Sequence, residues 1–147
     1  MSSLPLPFSE SELGNGYSLE EAVESLTILK DWTQRYRQLF KLAAKIKPLQ
    51  EQYKLEKHLV EGCESQVWML HHFDRQHQKH YFIADSESKI IKGLLVLVLC
   101  SCSNKTTEEL RTVNFEKLLK SLDFGKYLTP SRSNGLLSVI KKMQAFC

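Results

Sequence analysis

The stretch from Lys89 to Cys102 constrains the fold more than any other part of the chain. Ile90, Ile91, Leu94, Leu95, Val96, Leu97, Val98 and Leu99 leave it almost no polar side. Its length predicts a helix rather than a strand, and a helix that is apolar nearly all round has to be covered on every side. The chain has 147 residues, enough for one domain and one core, so the rest of the chain must wrap this element. The run is interrupted by Lys92 and is far short of the roughly 20 apolar residues that span a bilayer, so no membrane partner is expected.

The wrapping elements can be read in order. Residues 1–17 carry Pro5, Pro7, Gly14 and Gly16 with few large apolar side chains, and are expected to form a loose N-terminal arm before a single domain at 18–147. Ser18 and Glu21 make a capping box that opens a helix. Apolar residues then recur at three- and four-residue spacing from Leu19 to Ala43, as one helix or as two with Asp31 capping the second, and Pro48 ends the pattern. His58-Leu59-Val60, Gln66 to His72 and His80 to Ala84 read as three strands, the last two joined by the polar turn Asp74 to Gln78. Asp85-Ser86-Glu87-Ser88 stops the third strand and offers a cap for the apolar helix. Thr106 and Glu109 form a second capping box, Phe115 to Leu122 carries a helical stripe, and Thr129 to Gly135 reads as a turn launching a final helix with Leu136, Leu137, Ile140 and Met143 inward. The fold class is α+β, a small antiparallel three-stranded sheet packed against several helices.

Composition bounds the function. Apolar content of 42% and charged content of 25% are those of a soluble globular protein. A net charge of +3 without an aromatic-spaced basic cluster argues against nucleic acid as a partner. Met1 to Glu12 has neither a basic start nor an apolar h-region, so a cytoplasmic protein is expected. Thiols stay reduced there, and the four cysteines point to reactivity, metal binding or packing before disulfides.

Cys63 is the cysteine whose surroundings suit chemistry. It lies in Glu61-Gly62-Cys63-Glu64-Ser65-Gln66-Val67-Trp68, where Gly62 frees the backbone and polar neighbours place the thiol in a loop. The thiolate is the nucleophile, and an unperturbed thiol of pKa ~8.5 is only slightly ionised at neutral pH. His58 and Arg132 are candidate groups to lower that pKa, while Glu61 and Glu64 oppose ionisation. Cys100 and Cys102 could join Cys63 in a metal or cluster site, but their spacing lacks the pairing of zinc modules, and they read as small core residues. Cys147 is terminal and has no assigned role. His71, His72, His77 and His80 crowd the hairpin; the first two alternate between sheet faces, which predicts a solvated hairpin rather than a ligand set. Arg132 sits at a helix start, locally unfavourable for a cation, which favours a task such as ordering the cysteine loop. Lys92 has to reach the surface or pair with a carboxylate such as Glu87.

The motif around Cys63 resembles the cysteine motif of the SufE/CsdE family of sulfur acceptors for cysteine desulfurases. Ile91-Lys92-Gly93-Leu94, Val113-Asn114-Phe115-Glu116 and Leu128-Thr129-Pro130-Ser131-Arg132-Ser133-Asn134-Gly135-Leu136 agree in order and spacing, and Asp31-Trp32 to Leu49 is similar to the family's first helices. The resemblance runs from about Leu26 to the end. Gln66 and the Thr-Pro-Ser-Arg-Ser block are closer to the SufE branch. His58 departs from the asparagine common at that position.

The resemblance implies a SufE/IscU-like fold and a defined chemistry. Cys63 would take the outer sulfur of a persulfide on a pyridoxal-phosphate (PLP) cysteine desulfurase, stimulate that enzyme, and pass the sulfur to an iron–sulfur scaffold or another acceptor. The chain would be a partner protein rather than a stand-alone enzyme, with no cofactor and no metal of its own. Gly62, Glu64 and Ser65 would lie in the interface, with His58 and Arg132 in support. A metal- or cluster-binding scaffold built on Cys63, Cys100 and Cys102 is the alternative, and a cysteine hydrolase with Cys63 as nucleophile is a second one.

Overall fold

The structure, a computed structural model, describes residues 4–125 and 128–147. Among the described residues the chain runs through α1 (Leu19–Thr27), α2 (Trp32–Ala43), β1 (Val67–Asp74), β2 (Lys79–Ser86), α3 (Lys89–Cys102), α4 (Thr107–Arg111), α5 (Phe115–Leu122) and α6 (Pro130–Gln144). Single 3-10 turns stand at Phe8–Glu10, Glu51–Tyr53 and Glu56–His58.

The apolar run is the buried helix its composition demands. In α3 every residue except Lys89 and Lys92 is buried, and the helix packs against α1, α2, α6 and β2. Each fully buried leucine or valine on it contributes about 1.5–3 kcal/mol relative to exposure. The approach of α2 is close because position 93 is glycine: a Cβ there would lie 2.2 Å from the Leu39 carbonyl oxygen. Lys92 pairs at 3.3 Å with Asp85, not with Glu87, and the other oxygen of Asp85 accepts the Leu49 N–H at 2.8 Å. This carboxylate therefore ties β2 to α3 and to the segment following Pro48.

The capping signals hold. Ser18 with Glu21 and Thr106 with Glu109 form reciprocal capping boxes, Asp31 caps α2, and Ser88 caps α3. The last helix starts earlier than its sequence suggests. Thr129 is the N-cap and Pro130 the first helical residue, so Ser131 to Gly135 form the opening turns of α6 rather than a separate turn.

Among the described residues the sheet is two-stranded, not three-stranded. β1 and β2 pair antiparallel from Val67↔Ser86 to Asp74↔Lys79. The expected first strand fails because His58 closes a 3-10 turn and the chain leaves at Gly62, φ +92°. One bridge between Leu59 and Trp68 and one hydrogen bond from Val60 N–H to Val67 O at 2.9 Å remain of it.

The hairpin is also less solvated than expected. His80 is buried; its Nδ1 faces His71 Nε2 at 2.8 Å and its Nε2 faces Thr107 Oγ1 at 2.8 Å. Phe146 stacks on His71 with centroids 3.9 Å apart. Residues 4–17, expected to be loose, lie on the body, while residues 1–3 of that arm fall outside the described residues. Leu13 enters the main core, and Phe8 joins Leu49, Trp68, Leu70 and Ile83 in a second cluster on the far face of the hairpin.

Candidate functional site

The loop that carries Cys63 is closed at its base and laid along α6. The Val60–Val67 hydrogen bond and the Leu59–Trp68 bridge pinch the two ends together. Lys142 of α6 donates from Nζ to the Leu59 carbonyl at 3.0 Å. Gly62 lies against Ser138, whose Oγ would be 2.9 Å from a Cβ at that position; with φ +92° the site excludes other residues on two grounds. Cys63 sits directly over Gly135. A Cβ on Gly135 would be 3.3 Å from Cys63 Cα and 3.5 Å from Sγ, so the cysteine uses the space a side chain would fill.

The thiol is half-buried and points at the helix, donating to the Gly135 carbonyl at 3.4 Å. Burial pushes its pKa above the ordinary thiol value. A cavity of ≈ 10 Å³ adjoins it, lined among others by Glu64, Val67, Ile91, Arg132 and Leu136. In the free protein Cys63 is therefore a protonated, sheltered thiol.

The other expected site residues divide. Arg132 and Glu64 share the cavity wall with Cys63. Arg132 stands in the first turn of α6, its N–H donating to the Thr129 hydroxyl at 3.3 Å. Gly62 is exposed and Ser65 half-buried on the loop itself. His58 is in the turn before the loop, and desolvation together with Lys57 and Lys142 lowers its pKa, leaving it a neutral ring among cations. Among the described residues the hydrogen bond of the thiol goes to Gly135, not to His58.

Cys100 and Cys102 are buried in α3, where burial pushes their pKa values up to about 11 and about 12. Among the described residues no three His, Cys, Asp or Glu side chains are arranged to hold a metal ion. Among the described residues no helix is long and apolar enough to cross a membrane.

Sequence reasoning gave no role to Gly135, Ser138 or Lys142, which hold the loop. The available signal was a glycine inside a helical pattern, with a small residue three positions later on the same face.

Fold and site together define a small helical α+β domain that presents a loop cysteine over a helix. The comparisons with known proteins give that class a family. Residues 20–147 match the family described as SufE, an Fe-S metabolism associated domain. The chain is 30% identical over 129 residues to an uncharacterised SufE-like protein of Rhizobium etli, covering 86% of this chain and 87% of that one. It is 36% identical over 128 residues to SufE-like protein 1, chloroplastic/mitochondrial, of Arabidopsis thaliana, covering 86% of this chain but 33% of the plant protein. A solution structure of a hypothetical protein from Thermus thermophilus shares the fold, with a TM-score of 0.67 at 20% identity over 86% of this chain and 90% of that one. The chain belongs to the SufE family, which is associated with Fe-S metabolism.

Proposed function

We propose that this protein is a sulfur acceptor and carrier, with residues 18–147 as the working unit. It takes sulfur from a PLP-dependent cysteine desulfurase onto Cys63, stimulates that enzyme, and hands the sulfur to an iron–sulfur scaffold or another acceptor. The observation that carries the reading is the seat of Cys63: a loop thiol held over Gly135 in a chain of this family.

The transfer is a thiol–persulfide exchange. The Cys63 thiolate attacks the outer sulfur of the partner's persulfide. A bond forms between Cys63 Sγ and that sulfur, the partner's S–S bond breaks, and the partner's cysteine leaves as a thiolate. The Cys63 proton passes to water or to a base of the partner, and no net oxidation occurs. Because burial disfavours the Cys63 thiolate, the partner supplies what the free chain lacks, drawing the loop off α6 and stabilising the anion. Gly62, Glu64 and Ser65 are then placed to meet it. Arg132 remains on the wall the thiol leaves, as a positioning group for the loop. Four free thiols suit a reducing compartment such as the cytoplasm.

The scaffold alternative needs Cys63, Cys100 and Cys102 to converge, and the burial of the last two inside α3 favours a packing role for them. The test is the desulfurase rate. Adding the protein to a cognate desulfurase with cysteine and a reductant is expected to raise alanine formation, and Cys63→Ser is expected to abolish the increase. Equal stimulation by the serine variant would overturn the proposal.

A further inference from the structure

The N-terminal arm precedes the family match at residues 20–147, yet it is folded onto the body and encloses space. Leu6, Pro7, Glu10, Ser11 and Leu13 form one wall of a cavity of ≈ 180 Å³. For scale, an apolar protein cavity of about 150 Å³ accepts a benzene-sized ligand. The floor is Leu13, Ile46, Leu49, Ile83, Ala84 and Leu99, all buried. The opposite wall is the segment from Lys45 to Tyr53, with Gln50 and Gln52 exposed at the mouth.

Charge is confined to the rim. Lys45 and Lys47 line the cavity against a single carboxylate, Glu10. Their ion pairs are loose: Lys47 to Glu10 at 3.7 Å and Lys45 to Glu12 at 3.6 Å, well beyond the roughly 2.8 Å of a charge-assisted hydrogen bond. Lys45 Nζ also lies 4.0 Å over the Tyr17 ring. An ammonium carries three N–H donors, so Lys47 with its one loose pair, and Lys45 beside Glu12 and that ring, each keep a donor for another anion. An apolar floor under walls that carry polar groups gives such a cavity the two-sided character that an amphipathic small molecule fits.

We propose that this cavity binds a small amphipathic anion, its apolar body on the Ile46–Ile83–Leu99 floor and its carboxylate at Lys45 and Lys47. The arm supplies one wall and the counter-charges that the ligand's head group displaces. Binding adds contacts between residues 4–17 and the body on which they already lie. The site is formed by the arm, the 45–53 segment, Ile83, Ala84 and Leu99, and does not include Cys63, so it stands or falls independently of sulfur transfer.

The test is a titration of the full chain with octanoate, kept below its micellar range, followed through the methyl resonances of Ile46, Ile83 and Leu99. Saturable one-site shifts at these methyls are expected, with 1-octanol binding about threefold to fivefold more weakly, the scale of one exposed charge contact. A Lys45→Gln/Lys47→Gln variant is expected to erase the preference for octanoate while leaving octanol binding unchanged. Both lysines carry rim charges, so the folded state survives, and circular dichroism checks it. A Leu6→Asp variant, altering an exposed wall residue, is expected to weaken both ligands. Shifts that do not saturate, shifts confined to other methyls, or equal affinity for octanoate and octanol in the unaltered chain would each overturn the proposal.

Discussion

Cys63 is held in a seat that disfavours its thiolate. Its thiol faces a helix backbone, adjoins a small cavity of ≈ 10 Å³, and is pushed by burial toward the protonated form. Alkylation of the free protein at Cys63 is therefore expected to rise with pH about a midpoint above the ~8.5 of an open thiol. A midpoint at or below that value, followed by peptide mass spectrometry, would show that the chain activates its own nucleophile. Gly135→Ala probes the same seat. Its Cβ would press on Cys63 at 3.3–3.5 Å while gaining about 1 kcal/mol of helix propensity. The expected result is faster alkylation of Cys63 with little loss of thermal stability; unchanged alkylation would mean that the loop does not depend on that space. The loop placement of Cys63 was legible in the sequence through Gly62 and its polar neighbours. Its seat was not, because Gly135 lies 72 positions away and nothing local links the two.

At the scale of elements, the helices were legible and the sheet only in part. Capping signals, three-four periodicity and the length of the apolar run are local signals, and they located α1, α2, α3 and α4. The third strand failed because pairing is not local: Leu59 meets Trp68 at a single bridge, and a 3-10 turn occupies the residues before it. The Lys-Gly-Leu block has a structural reason that spacing alone could not reveal. Gly93 admits the backbone of α2, and Lys92 meets Asp85. Gly93→Ala is expected to destabilise the protein by about 1–3 kcal/mol or more, since the added methyl would press on the Leu39 carbonyl and Cβ, which move only with the backbone of α2. Chemical denaturation monitored by circular dichroism checks this, and an unchanged midpoint would contradict the close crossing. Lys142→Met removes the donor to the Leu59 carbonyl while keeping the stem. Faster hydrogen exchange across residues 59–67 is expected, with the remainder of α6 unaffected.

The whole molecule carries a pH dependence centred away from the cysteine. Burial, with His80 and then His72 nearby, lowers the His71 pKa to about 4. The unfolded chain binds that proton near ~6.5, so folding favours the neutral ring. The stabilisation is fully present above the unfolded value and is lost as pH falls from about 6.5 toward 4. After allowance for solvent screening it amounts to about 1–2 kcal/mol. Thermal melts across that window are expected to show an acid-side loss that His71→Phe reduces; an equal loss in the variant would place its source elsewhere. Taken as a whole, the chain is a helical body built around α3, with an arm on one side and a sheltered thiol over α6. The central claim is that the thiol carries sulfur between proteins. The most direct measurement is the intact mass of the protein after incubation with a cognate desulfurase and cysteine, without reductant. The account predicts a gain of one sulfur atom, located at Cys63 and absent from Cys63→Ser. No added sulfur on the unaltered chain, or the same addition on the serine variant, would contradict it.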